Sequence, residues 1–114
     1  MIKVRMMIPV ADNEGNTIDQ YVVKPLLREV LGLCGGYTVS PPNLQGAWLD
    51  GDKVYYDTMY ALETCCKPED LSELRHIASK FAYVCKQECI YFEWHEVNVD
   101  FVTSPEPMAC DEEE

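Results

Sequence analysis

The chain has 114 residues, 47% of them hydrophobic and 25% charged, and its nine Lys and Arg stand against 20 Asp and Glu for a formal net charge of -11. A chain of this size folds as one domain and buries roughly two thirds of the surface that its unfolded form exposes. The negative field repels phosphates, so neither direct nucleic-acid binding nor docking on an anionic membrane is expected, and no stretch reaches the roughly 18 to 20 apolar residues of a membrane span.

Residues 2–10 alternate, with Ile2, Val4, Met6, Ile8 and Val10 on one face and Lys3, Arg5 and Pro9 on the other, the pattern of a half-buried strand. Because Lys3 and Arg5 are interleaved with the apolar residues instead of preceding them, this stretch does not read as a secretory signal. A cytoplasmic location is therefore expected. The six cysteines (Cys34, Cys65, Cys66, Cys85, Cys89, Cys110) then read as reduced thiols, most of them small core residues.

After a turn over 11–16, Thr17-Ile18-Asp19-Gln20 has the form of a capping box, and Val22, Val23, Leu26, Leu27, Val30 and Leu31 recur at helical spacing until Gly35-Gly36. This predicts a helix over about 19–33, with Pro25 either kinking it or moving its start to Lys24. Tyr37-Thr38-Val39 opens a second strand that Pro41-Pro42 interrupts and that resumes at Ala47-Trp48-Leu49. Asp50-Gly51-Asp52 is a tight turn into a third strand over 53–63, giving a hairpin. Tyr55, Tyr56 and Tyr60 fall on both faces of that strand, so a ligand or a second copy of the chain is the expected cover on one side, an arrangement that includes a homodimer.

Asp70-Leu71-Ser72-Glu73 is another capping-box candidate, and Leu71, Leu74, Ile77, Ala78, Phe81, Ala82 and Cys85 form an amphipathic stripe, predicting a second helix over about 69–87. Ile90, Phe92 and Trp94 then alternate with Tyr91, Glu93 and His95. The apolar parity flips before Val97, Val99 and Phe101, which calls for a bulge or a small turn around His95-Glu96, so that the strand is broken there or becomes a hairpin. Residues 103–114, closing on Asp111-Glu112-Glu113-Glu114, have the composition of a flexible acidic tail, and residues 1–102 are the expected domain. The order β-α-β-β-α-β is that of a ferredoxin-like α+β sandwich, an antiparallel sheet with two helices on one face and the other face open.

No catalytic motif emerges, and no cofactor is implied. Cys65-Cys66 and Cys85/Cys89 lack the short C-x2-C knuckles of zinc sites, so no metal is expected there. His76 and His95 read as surface histidines; His95 with Glu93 is the one candidate acid-base pair, and Glu93, Glu96 and Asp100 form an acidic patch whose simplest role is to keep a sheet edge from sticking. Trp48 and Tyr60 suit a core or an interface equally.

The charge is unevenly placed. In residues 1–48, Lys3, Arg5, Lys24 and Arg28 offset Asp12, Glu14, Asp19 and Glu29, so the whole excess lies in residues 49–114. That half is expected to meet a basic surface on a protein partner or simply to keep the protein in solution.

The block Gly35-Gly36-Tyr37-Thr38, then Gly46-Ala47-Trp48 and the Asp50-Gly51 turn, resembles one in small uncharacterised ferredoxin-like proteins of bacteria and their phages; the resemblance implies the topology and no activity. In general character the chain resembles the small acidic inhibitors that phages and mobile elements deploy against nucleic-acid-binding defence enzymes. The expected role is thus a non-catalytic binder of a basic, nucleic-acid-binding protein, using Trp48, Asp50, Asp52, Tyr56, Asp57, Tyr60, Glu93, Glu96 and Asp100. The alternative is a binder of a small molecule or nucleotide-like signal, walled by Trp48, Tyr56 or Tyr60 at a subunit interface.

Overall fold

A computed structural model describes residues 1–105; most of the expected acidic tail, with Cys110, lies outside the described residues. The elements are β1 (Ile2–Pro9), α1 (Gln20–Cys34), β2 (Thr38–Val39), β3 (Leu44–Asp50), β4 (Lys53–Cys66), α2 (Leu71–Val84) and β5 (Phe92–Glu96). β1 pairs antiparallel with both β4 and β5, and β2 and β3 both pair with the far side of β4. The sheet therefore runs β2/β3, β4, β1, β5, the ferredoxin-like arrangement that the order of elements predicts.

Period-two alternation assigns the faces. Val4, Met6 and Ile8 oppose Thr64, Leu62 and Tyr60, and they form one core with Val23, Leu26 and Val30 of α1 and Leu74, Ile77 and Phe81 of α2. Both helices thus cover the same face, as expected. Lys3, Arg5, Glu63, Cys65, Glu93 and His95 line the other.

Both predicted helices form, with caps that differ from the expected boxes. Thr17 is held extended by a bridge to Ala11, so the cap of α1 moves two residues on: Asp19, in extended conformation, accepts from the Tyr21 N–H at 2.9 Å. The helix runs on through Pro25. Gly35 closes it in the left-handed region (φ 85°), its N–H donating to the Leu31 carbonyl, the conformation that glycine adopts without a Cβ penalty. Asp70 does not cap α2, because it ends a 3-10 turn over Pro68–Asp70 and its backbone is already helical (φ -96°, ψ -3°). At the other end the Gln87 N–H reaches the Ala82 carbonyl and the Lys86 N–H reaches that of Tyr83. This is a Schellman closure with Lys86, not glycine, at positive φ (57°).

The proline break separates β2 from β3 without moving them to different neighbours. Val39 opposes Leu62 and Leu44 opposes Met59, so the residues 40–43 face only Tyr60 and Ala61. The Ser40 hydroxyl fills part of the gap by accepting from the Ala61 N–H at 2.8 Å. The excess is even, so inward and outward residues keep their faces. Gly51, at φ 63°, takes the first corner of the two-residue β3–β4 turn, where a mirror-type turn needs a positive φ.

The bulge expected at His95-Glu96 is absent. β5 is regular to Glu96, which opposes Ile2, the first residue of β1, and the ladder ends there, so the strand is broken at the parity flip. A final bond from the Val97 N–H to the Met1 carbonyl (3.0 Å) marks the exit.

Candidate functional site

The residues singled out from the sequence fall into two groups at opposite edges of the sheet. Trp48, Asp50, Asp52, Tyr56, Asp57 and Tyr60 belong to the β3–β4 hairpin, whereas Glu93 and Glu96 sit on β5 with Asp100 just beyond it. Register places Trp48, Asp50 and Asp57 on the helix-free face and Tyr56 and Tyr60 on the helix-side face. Trp48 and the two tyrosines therefore do not wall one pocket within a single chain.

On the helix-free face Trp48 folds back over Gly46. A Cβ at residue 46 would lie 2.6 Å from Met59 Cε and 3.7 Å from the indole Nε1, so glycine is what admits the close packing. The indole reaches the Tyr91 ring at 6.4 Å between centroids, and Met59 and Ala61 on the same face are buried. Part of the face expected to be open is thus capped by the protein's own aromatics.

Beside this cap runs a charged strip that sequence reading did not anticipate. Glu63 of β4 receives Lys3 at 3.7 Å and Arg5 Nε at 3.2 Å; the two side chains are partly exposed, and the covered Arg5 Nε makes the ionic contact without a hydrogen bond. On the other flank the Tyr91 hydroxyl donates to Glu93 at 2.9 Å, and the bond together with the negative charge of Glu93 holds the phenol pKa above its ordinary value. Glu93 is thereby engaged by Tyr91, and no hydrogen bond or ion pair joins it to His95 among the described residues. The alternation of β1 was the only signal available for this strip, since Glu63 and Glu93 are brought to Lys3 and Arg5 by pairing across strands.

The remaining thiols and tyrosine behave as packing groups. Burial pushes Cys85 up to about 11 and Tyr60 up to about 12, and burial also raises Cys34 and Cys66, so these sulfurs stay protonated and poorly nucleophilic. Cys89 is exposed, and none of the five described cysteines is in a disulfide. Two open grooves lie on the surface of the described residues. One, about 380 Å³, is lined by Met1, Ile2, Pro68, Glu96, Val97 and Asn98. The other, about 240 Å³, lies between α2 and β5 and includes Arg75, Ala82, Ile90 and Phe92; at its rim the Arg75 guanidinium stands 5.6 Å from the Trp94 ring.

Among the described residues, ion pairs with lysine or arginine engage only Glu63 and Glu29, the latter with Lys80 at 3.0 Å. Acidic side chains of the second half are thus largely without a lysine or arginine in ion-pair contact among the described residues. Among the described residues no group of three or more His, Cys, Asp or Glu is placed to hold a metal ion, and no helix is long and apolar enough to cross a membrane.

The architecture is shared with small ferredoxin-like proteins of known structure. The divalent cation tolerance protein CutA1 from Thermus thermophilus superposes with a TM-score of 0.64 at 10% identity, covering 89% of this chain and 88% of its own. A phage SAM lyase in its apo state gives 0.62 at 14% identity over 94% and 92%. The phage SAM lyase in complex with S-methyl-5'-thioadenosine gives 0.58 at 14% identity over 83% and 80%. At such identities the likeness defines the fold. No protein-family model and no curated sequence matches the chain, so the G-G-x-T … G-x-W block stands without family-level support.

Proposed function

We propose that this is a non-catalytic binding protein whose acidic second half occupies a basic surface on a partner protein, in the manner of a phage or mobile-element inhibitor of a nucleic-acid-binding defence enzyme. The observation that carries this reading is the unneutralised charge: the excess lies wholly beyond residue 48, and Glu63 is the one carboxylate of that half in an ion pair among the described residues. Exposed carboxylates of this kind steer and select a cationic partner more than they stabilise their own fold. The fold shared with a phage protein agrees with such a source. The test is an affinity capture from host lysate at low and high ionic strength. A basic, nucleic-acid-binding partner retained at low salt and lost at high salt is the expected result; a partner held equally at both removes the reading.

A second reading, a binder of a small nucleoside-like molecule, is favoured by one observation, that the same fold in the phage lyase is seen with S-methyl-5'-thioadenosine. Exposed Trp48, Tyr55 and Tyr56 offer rings on which a purine could stack. Titrating S-methyl-5'-thioadenosine while following the melting temperature decides it: a rise that grows with concentration supports binding, and an unchanged midpoint at millimolar ligand discards it.

A further inference from the structure

The edge of β4 that faces β1 continues after β1 has ended. Pairing stops at Pro9 opposite Met59, with a last bond from the Val10 N–H to the Thr58 carbonyl at 3.1 Å. Lys53 to Asp57 go on with β3 alone, on their other side. Backbone groups in an antiparallel ladder turn alternately to left and right, so Val54 and Tyr56 direct their N–H and C=O groups at this vacant edge. Both faces of the projecting ribbon also carry apolar side chains, with Trp48 and Tyr55 on one and Leu49, Val54 and Tyr56 on the other; Leu49 and Tyr56 are 73% and 79% exposed. A two-stranded ribbon is marginal alone, and an unpaired edge of this kind is a template for another strand.

The chain also holds a strand-like segment without a ladder. In residues 97–102 the apolar Val97, Val99 and Phe101 alternate with Asn98 and Asp100. Beyond the Val97 N–H, none of its backbone is hydrogen-bonded among the described residues, and Phe101 and Val102 are 87% and 86% exposed.

This segment cannot fill the vacant edge of its own chain. β5 runs antiparallel to β1 and leaves it at Met1 and Ile2, whereas the vacancy begins past Pro9, at the opposite end of a strand that spans about 26 Å at the usual rise per residue. The chain after Glu96 heads away from the ribbon. We infer that residues 97–102 of one copy add as a strand to the Lys53–Asp57 edge of a second copy, which returns the contact or passes it on around a closed ring.

Chemistry on the two sides agrees with that occupant. Six extended residues span about 20 Å, enough to cover a five-residue edge. Aligned by face, Val97, Val99 and Phe101 lie against Val54 and Tyr56, and Asn98 and Asp100 fall on the side of Lys53, Tyr55 and Asp57, where Lys53 supplies the opposite charge to Asp100. The inference does not depend on the partner-binding reading and survives its failure.

The test uses the full-length chain. Light scattering should give a multiple of the 13.0 kDa chain mass, and Val99→Pro, which removes the backbone donor without touching any in-chain hydrogen bond, should return it to the mass of one chain while the helical circular dichroism is kept. A photo-crosslinking residue placed at position 101 in the otherwise native sequence should join peptides containing residues 53–57 in a band of two chains. A wild-type protein that is monomeric at tens of micromolar would overturn the inference. So would an assembly that V99P leaves intact, or crosslinks that land elsewhere.

Discussion

The body and the ribbon are made from the same strand and are stabilised in different ways. From Met59 to Glu63, β4 lies between β1 and the β2/β3 edge, and Leu62 is completely buried in the core. From Lys53 to Thr58 it has one neighbour and mostly exposed side chains. Tyrosine and threonine do not distinguish the halves, for Tyr55, Tyr56 and Thr58 lie in one and Tyr60 and Thr64 in the other. What differs is whether a second and third layer stand beside them, so one strand divides into a part that serves folding and a part left available for recognition.

Core truncation should sharpen this division most. Phe81 is completely buried between α2 and the sheet, and Phe81→Ala should destabilise the body by about 3–5 kcal/mol in urea unfolding, from lost transfer energy plus the cavity. A loss below about 1 kcal/mol would mean that the ring does not pack in the core.

Alkaline titration probes the boundary between the halves, where Tyr60 sits. Its folded pKa is raised to about 12 from 10, so the neutral phenol is the form that the fold favours; its contribution is complete below pH 10 and is lost as pH rises towards 12. The melting temperature should fall over that window, and Tyr60→Phe should flatten part of the fall; an identical slope in both proteins would contradict the burial of the ring. Cys85, raised to about 11, should for the same reason resist alkylation in the native state while exposed Cys89 reacts.

Smaller effects follow at the ends of elements. Lys86 holds a left-handed conformation that costs an L-residue about 1 kcal/mol, so Lys86→Gly should raise stability by up to about that amount, less the entropy that glycine adds to the unfolded chain. In the ribbon, Tyr56→Ala should change unfolding of the dilute protein by no more than about 0.5 kcal/mol, because the ring is 79% exposed. A large effect there would erase the contrast between ribbon and body.

Much of the body is legible in the sequence because its signals are local. The alternation of Ile2 to Ile8, the stripe from Leu74 to Cys85 and the Asp50-Gly51 turn each fix an element without reference to anything distant. The helix starts at Thr17 and Asp70 differ from the capping-box reading, since a cap depends on the backbone angle of the capping residue, and that angle is set by a bridge to Ala11 in one case and by a preceding 3-10 turn in the other. The parity flip after His95-Glu96 is real and marks a broken strand in place of a bulge: β5 ends at Glu96, opposite the first residue of β1. For the candidate site, sequence could name Trp48 and the tyrosines but not their faces, and it could not find the Lys3–Glu63–Arg5 strip, which exists only through cross-strand register.

The two surplus residues beside Pro41-Pro42 have an outcome for how this protein can change. Because the two-residue turn at Gly51-Asp52 sets the β3–β4 register and β4 is held in the body by β1, lengthening or trimming that loop leaves the indole of Trp48 on the helix-free face and changes only how far the ladder beside β4 is interrupted. The hairpin's two surfaces are thus held from its far end by the turn, and the segment at Pro41-Pro42 is free to vary in length without exchanging them.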